Sequence, residues 1–413
     1  MKKILGFFAV WVVANATLYL FFFESAYKFS WGIFFALLIT TLLNIVFVII
    51  AFMVLGIKKA LNKDSKVFSR LAKPAMSLVV VVALMLLQIA ISEQFVYLRG
   101  DASMNRIETV ELNGTTQYIS VRSTDESNPV LLFLAGGPGG SQMQATREHF
   151  PLLEEHFTII NWEQPGSGKS YSARKVDTLT PDVYVDDAHA LTNHLKDVYD
   201  QDKIYLMGES WGSYLGVLLA TQYPGDYHAL VTTGQMVDFA ETENYCYNEA
   251  LRIATENEDQ NQIERLEALK TIPPTGDNIS LDAATYLNYL HAHMATSSEI
   301  NSTSWDTFDT LLSPEYSIMD SLNFFRGLLN TFSHVYQQLY ETDLRESHTE
   351  FDIPIHILHG EHDVNAPVYL VDAYHDLIVA PEKTLVYFDR SGHNPWITEP
   401  ELFQQTVLDL LNP

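Results

Sequence analysis

Cysteine is almost missing from this 413-residue chain, and Cys246 stands alone. One thiol excludes an intrachain disulfide, a haem-attachment pair and a cysteine-based metal site. Basic residues are scarce too: 25 Lys and Arg face 51 Asp and Glu, a formal net charge of −26. A chain this acidic repels phosphate backbones, which excludes nucleic acid as a natural partner. The excess acid serves solubility or, more specifically, attraction of cationic substrates. Internal repeats and low-complexity segments are absent. No metal-ligand spacing is present, since His291 and His293 are two apart and His356, His359 and His362 scatter near one strand end. A complete phosphate loop is missing as well. The stretch EQPGSGKS, Glu163 to Ser170, ends like one, but the pattern G-x-x-x-x-G-K-[ST] needs glycine where Glu163 stands. A carboxylate there would face the phosphate, so neither a nucleotide nor any other cofactor is expected.

The charge deficit is uneven. Residues 1–98 carry nine basic and three acidic residues (Glu24, Asp64 and Glu93), leaving 16 basic and 48 acidic for the remainder. A chain so divided meets two environments. Three apolar runs lie in the first part, at about 4–23, 31–57 and 75–97, each of a length that suits a membrane-crossing helix. The first could instead be a cleaved signal peptide, because Lys2 and Lys3 precede it and Ala14-Asn15-Ala16 resembles a cleavage site. Two further runs follow it, which favours an anchor. Lys2, Lys3 and the basic stretch from Lys58 to Lys73 predict a cytoplasmic N-terminus by the positive-inside rule. The expectation is therefore a multi-pass protein of a bacterial cell membrane, with the bilayer as partner. Residues 1–98 would be the anchor, and 99–413 would lie outside the cytoplasm.

After residue 98 the pattern changes. RIETVELNG and TQYISVRS alternate around Asn113-Gly114, a hairpin signal. PVLLFL, FTIINW, KIYLMG, HALVTT, IPIHIL and TLVYF read as six further strands, several running into glycine loops. Helical periodicity separates them, as in DDAHALTNHLKDVY. TEPELFQQTVLDLLN reads as a closing helix with Thr398 as N-cap. Strands alternating with helices predict a mostly parallel eight-stranded sheet covered on both faces. Ligands of such sheets bind beyond the C-terminal ends of the strands. The polar, helical stretch from about 236 to 347 is then an insertion, expected to form a lid over that edge.

The candidates for chemistry fall at that edge. Gly208-Glu209-Ser210-Trp211-Gly212 is G-x-S-x-G between a strand and a helix, the context in which the serine projects as a nucleophile. A serine needs a base, and the base needs an orienting acid. The expected chain order, serine then acid then histidine, selects Asp363 and His393. Glu361 is the alternative acid, and Glu209 is expected to support the site rather than react. Of the two donors an oxyanion requires, one is the N–H of Trp211. The other comes from the glycine loop AGGPGGS, with Gly137 preferred and Gly136 the alternative.

With these residues in view, the chain resembles an α/β-hydrolase and, within that fold, the proline iminopeptidase family of serine peptidases. The resemblance covers about residues 105–413. It rests on Gly136-Gly137-Pro138-Gly139-Gly140, on Gln164 with Gly166-Ser167-Gly168-Lys169-Ser170, on Gly208-Glu209-Ser210-Trp211-Gly212-Ser213, and on Gly360, Asp363, Gly392 and His393. It implies that the glycine-proline loop forms the oxyanion hole and that lid carboxylates hold a substrate's free amino terminus. Glu241 and Glu243 are the residues to which this applies here. Two motif positions depart from the family: Ala135 stands where histidine is usual, and Pro165 where arginine is usual. The expected activity is release of N-terminal residues from short peptides. The alternatives are hydrolysis of an ester or other small acyl compound, or a non-catalytic receptor that keeps the fold.

Overall fold

The computed structural model describes residues 105–413 except 126, 277, 302–309, 311–312 and 314. The architecture below is that of the compact unit made by Gly100–Leu311 and Met319–Pro413. Asn113 and Gly114 both take positive φ (46° and 78°), the geometry of a tight hairpin turn. They join β1 (Asn105–Leu112) to β2 (Thr115–Arg122). β2 also runs antiparallel to β4 (Thr158–Glu163). From there the pairings are parallel, through β3 (Val130–Leu134), β5 (Ile204–Glu209), β6 (Tyr227–Thr233), β7 (Ile355–Gly360) and β8 (Lys383–Phe388). The order across the sheet is β1-β2-β4-β3-β5-β6-β7-β8. This is the mostly parallel, eight-stranded sheet expected from the alternating pattern.

The central strands are largely buried because both faces are covered, and β3 is apolar at every position. In β3, Val130, Leu132 and Leu134 enter one core, and Leu131 and Phe133 enter the other. The first core lies under α2 (Pro181–Tyr199) and α3 (Trp211–Gln222). The second lies under α1 (Met143–His149) and the C-terminal helices, where Phe133, Phe150 and Trp396 pack ring against ring. Thr180 caps α2 by accepting the Val183 N–H, with Pro181 as its first residue.

Between β6 and β7 the chain is helical. α4 (Phe239–Glu256), α5 (Gln260–Glu267) and α6 (Ile279–Thr296) share a core of Cys246, Ile253, Leu266, Tyr286 and Leu290. α7 (Ile318–Arg326) then runs through a π-helical turn, Gly327–Thr331, into α8 (Phe332–Tyr336) and α9 (Leu344–Ser347). This segment rests on the loop after β4. Lys169 Nζ lies 2.8 Å from Asp320, and Thr331 Oγ1 donates to the Gly166 carbonyl (2.9 Å). Gly139 and Gly327 meet backbone to backbone, at a distance a Cβ on either would close. The lysine of EQPGSGKS is thus part of the seam between loop and helices.

The end of the chain holds α10 (Val368–Leu377), α11 (Pro395–Thr398) and α12 (Pro400–Leu411). Thr398 is not the N-cap of the closing helix. It ends α11 and donates to Ser391 Oγ (2.7 Å), so Glu399 takes the cap position before Pro400.

The expected membrane placement is corrected. Among the described residues no helix is long and apolar enough to cross a membrane. The longer helices carry charge along an exposed side, as α4 does with Glu249, Arg252 and Glu256. The segments 4–23, 31–57 and 75–97 lie outside the described residues. A multi-pass topology, an extracytoplasmic domain and the bilayer as partner are accordingly withdrawn.

Leu132 is fully buried in the middle of the sheet. Leu132→Ala is expected to cost about 2–5 kcal/mol, read as a lowered urea midpoint with an unchanged slope.

Candidate active site

The turn from β5 into α3 has no spare volume. A Cβ on Gly208 would strike the Gly212 carbonyl, and one on Gly212 would strike the Leu134 carbonyl. Squeezed between them, Ser210 takes φ +54° and ψ −121°, a conformation costly for a residue with a side chain. Its N–H donates to the Thr233 carbonyl (3.0 Å), and Ser213 Oγ donates to the Ser210 carbonyl (2.6 Å). The strained turn is thereby tied to β6 and to its own helix. Ser210 keeps partial exposure while its neighbours are buried.

Two and three strands away, the loops after β7 and β8 bring Asp363 and His393 together. His393 Nδ1 stands 2.8 Å from Asp363 Oδ2. Asp363 Oδ1 accepts the N–H groups of Asn365 (2.8 Å) and Ala366 (2.9 Å), which fixes the carboxylate. Gly234, just past β6, lies against the imidazole, and a Cβ there would sit 2.8 Å from His393 Cε1. Burial alone would lower the His393 pKa. The Asp363 carboxylate, its hydrogen bond and the nearby Glu209 outweigh burial and push it up to about 9. Burial alone would raise the Asp363 pKa, and His393 reverses this, holding the carboxyl below its usual range. The alternative acid, Glu361, is exposed, and its N–H donates to the Phe388 carbonyl. His359, near the end of β7, is buried, and its Nε2–H donates to the Ala366 carbonyl (2.9 Å). His362 Nε2 lies 3.0 Å from the Asp389 carbonyl.

The glycine loop after β3 borders Ser210. A Cβ on Gly136 would fall 3.2 Å from Ser210 Cβ and would strike the Glu209 carboxylate. Gly136 N–H donates to Gln142 Oε1 (3.4 Å), and Gln142 Nε2 donates to Glu209 Oε2 (2.8 Å). Gln164 ties the other side. It accepts from Trp211 Nε1 (2.9 Å) and donates to the Ala135 carbonyl (2.9 Å). One amide side chain therefore sets the loop relative to the residue after the serine. Gln142 carried no motif signal, because its role depends on a contact 67 positions away.

The two glutamates of the helical segment, Glu241 and Glu243, are differently placed. Glu241 accepts from Arg345 (2.8 Å) and from Tyr369 (3.0 Å), in a cluster with Asp238 and Asp343. Glu243 is fully buried and accepts from the hydroxyls of Tyr286 and Tyr336. Burial pushes its pKa up to about 7 against these hydrogen bonds. Tyr286, Tyr336 and Arg345 lacked any sequence pattern linking them to these glutamates. Among the described residues no group of acidic, histidine and cysteine side chains is arranged to hold a metal ion.

A strained serine at a strand-to-helix turn, a buried histidine-carboxylate pair and a glycine loop at one sheet edge define a hydrolase of the α/β type. Residues 129–400 match the alpha/beta hydrolase fold family, and the chain belongs to it. Within the family it is similar to a Bacillus subtilis protein named a probable aminopeptidase, with 28% identity over 308 residues, 73% of this chain and 94% of that protein. It is also similar to the proline iminopeptidase of Xanthomonas citri, with 25% identity over 69% of this chain and 89% of that protein. Among solved structures, the fold matches VinJ (TM-score 0.57, 19% identity, 75% of this chain and 99% of that one). It matches a Mycobacterium smegmatis proline iminopeptidase equally well (0.56, 20%, 74% and 98%).

Glu243 makes a thermodynamic signature. An unfolded glutamate titrates near about 4.3. Between there and about 7 the folded chain binds more protons than the unfolded chain, so stability falls as pH rises. The slope is at most about 1.4 kcal/mol per pH unit. Glu243→Gln is expected to flatten the decline of Tm over this window, measured by thermal unfolding across pH.

Proposed function

We propose that this hydrolase works by acyl transfer through Ser210, His393 and Asp363, and that it releases N-terminal residues from short peptides. The observation that carries the reading is the 2.8 Å pair of His393 and Asp363 at the same sheet edge as the strained Ser210. Ser210 Oγ attacks the acyl carbon as its proton passes to His393 Nε2. Asp363 holds the Nδ1–H and offsets the charge of the imidazolium. The Trp211 N–H at the start of α3 is one oxyanion donor. Gly137 is the second, since the Gly136 N–H is already directed at Gln142. The C–N bond then breaks as His393 returns the proton to the leaving amine. Water cleaves the acyl-enzyme through the same groups.

The reading assigns this chemistry to residues 99–413, with about 236–347 as the lid. Its substrate class rests on the names of the relatives, one a probable aminopeptidase and another a proline iminopeptidase. Recognition of a free amino terminus by Glu241 or Glu243 requires displacing Arg345 or the tyrosine hydroxyls that now hold them.

A fluorophosphonate probe is expected to label the wild-type chain and leave Ser210→Ala unlabelled. Equal labelling of both would overturn the serine assignment. Proline p-nitroanilide is expected to be cleaved; turnover of p-nitrophenyl acetate alone would replace the aminopeptidase reading with an esterase. His393 acts as a base only when neutral, so the labelling rate should climb about tenfold per pH unit below its pKa. With that pKa at about 9, the rate should still be rising above pH 7. A plateau reached by pH 6 would reject this.

A further inference from the structure

Glu209 is more than a filler beside the nucleophile. It is 3% exposed, and its two oxygens have different neighbours. Oε2 accepts from Gln142 Nε2 at 2.8 Å. Oε1 lies 3.8 Å from His393 Nε2, the nitrogen opposite the one that Asp363 holds. The imidazole therefore stands between two buried carboxylates, one at each nitrogen. At 3.8 Å the second carboxylate is outside hydrogen-bond range, yet close enough for strong attraction in a poorly solvated site.

From this geometry we propose that Glu209 is a positioning residue for the reaction, acting through His393, with Gln142 as the arm that sets its distance. The proposal rests on the triad reading given above. Glu209 lends negative charge to the imidazolium that forms when Ser210 attacks. Gln142 holds the carboxylate back, so that Nε2 remains open to the Ser210 proton and then to the leaving amine. A carboxylate in full contact with Nε2 would compete for that proton; one much farther away would give little. The Gly136 Cα, against which the carboxylate lies, forms the back wall of this arrangement. No proton is transferred to Glu209 in the cycle. Burial raises its pKa, and the charge of His393 and the hydrogen bonds from Gln142 and the Gly136 N–H counter this.

Other titratable groups near the pair come from several elements. His359 on β7 is 3.5 Å from Asp363 Oδ2. His291 of α6 contacts Asn365 on the Asp363 loop. Cys246 of α4 donates to the Val364 carbonyl (3.3 Å), and Tyr245 beside it feels the Asp363 charge. His291 and His359 also feel the charge of His393, and Glu209 is the carboxylate that lies against Nε2.

The test uses the full chain and the rate of fluorophosphonate labelling as a function of pH. In that step the Oγ–P bond forms, the P–F bond breaks, the serine proton goes to His393 Nε2 and fluoride leaves. Glu209→Gln keeps the shape and removes the charge. Its midpoint is expected to fall by about one pH unit, and its plateau rate severalfold. Gln142→Met removes the side-chain donor and leaves the Gly136 N–H as the carboxylate's remaining donor, so the carboxylate can move toward Nε2; the midpoint is expected to move the opposite way, upward, with slower labelling at pH 7. An unchanged midpoint in a folded Glu209→Gln protein, judged by circular dichroism and Tm, overturns the proposal. Should Glu209→Gln fail to fold, Gln142→Met decides: a raised midpoint supports the proposal and an unchanged one overturns it. Ser210→Ala and His393→Ala run in parallel. Wild-type labelling of either one defeats the underlying triad reading. Loss of labelling in both, with an unmoved Glu209→Gln midpoint, defeats the Glu209 proposal alone.

Discussion

The structure is organised around a turn with no room in it. β5 must end, reverse and become α3 while packed against β3, and only glycine at 208 and 212 lets the Leu134 and Gly212 carbonyls come so close. The strain this creates falls on Ser210, at φ +54°. Its surroundings hold it there. The Ser210 N–H is bonded to β6, its carbonyl to Ser213, and Ser213 Oγ in turn accepts the Met236 N–H at the start of the helical segment. The same tightness positions the glycine loop, which can approach the serine only because Gly136 has no side chain.

Charge is the second organising quantity. Asp363, His393 and Glu209 are gathered where water is scarce, an arrangement stable only if each charge has a partner. Asp363 has two backbone N–H donors and the imidazole. Glu209 has Gln142 and the far side of the same imidazole. A histidine flanked in this way is held cationic more firmly than one paired at a single nitrogen. A different solution holds in the helical segment, where Glu243 is surrounded by neutral tyrosine hydroxyls and its burial favours the protonated form.

The stretch EQPGSGKS shows how local resemblance is resolved by tertiary context. Its glycines serve close packing and not a phosphate cradle. Gly166 is approached by Thr331, and the loop carries Lys169 to Asp320. Gln164, at its start, links Trp211 to the glycine loop after β3. The loop thus faces two ways, toward the helical segment and toward the reactive edge.

Residues whose role depends on near neighbours in the chain were legible beforehand. Apolar runs marked the strands of the sheet's centre, which are covered on both faces, and alternation around Asn113-Gly114 marked the hairpin at its edge. G-x-S-x-G marked the turn, because the steric requirement lies within five residues. Chain order put forward Asp363 and His393 with Glu361 as the alternative acid, and the folded chain places His393 Nδ1 2.8 Å from Asp363 and leaves Glu361 exposed. Only the folded chain decided the rest. Gln142 reaches Glu209 across 67 positions, Gly234 makes room for an imidazole from another strand, and Glu243 meets tyrosines of two other helices. Such contacts leave no periodicity, since they arise from where the sheet and its insertion bring distant segments, and their energies come from burial that no single segment possesses.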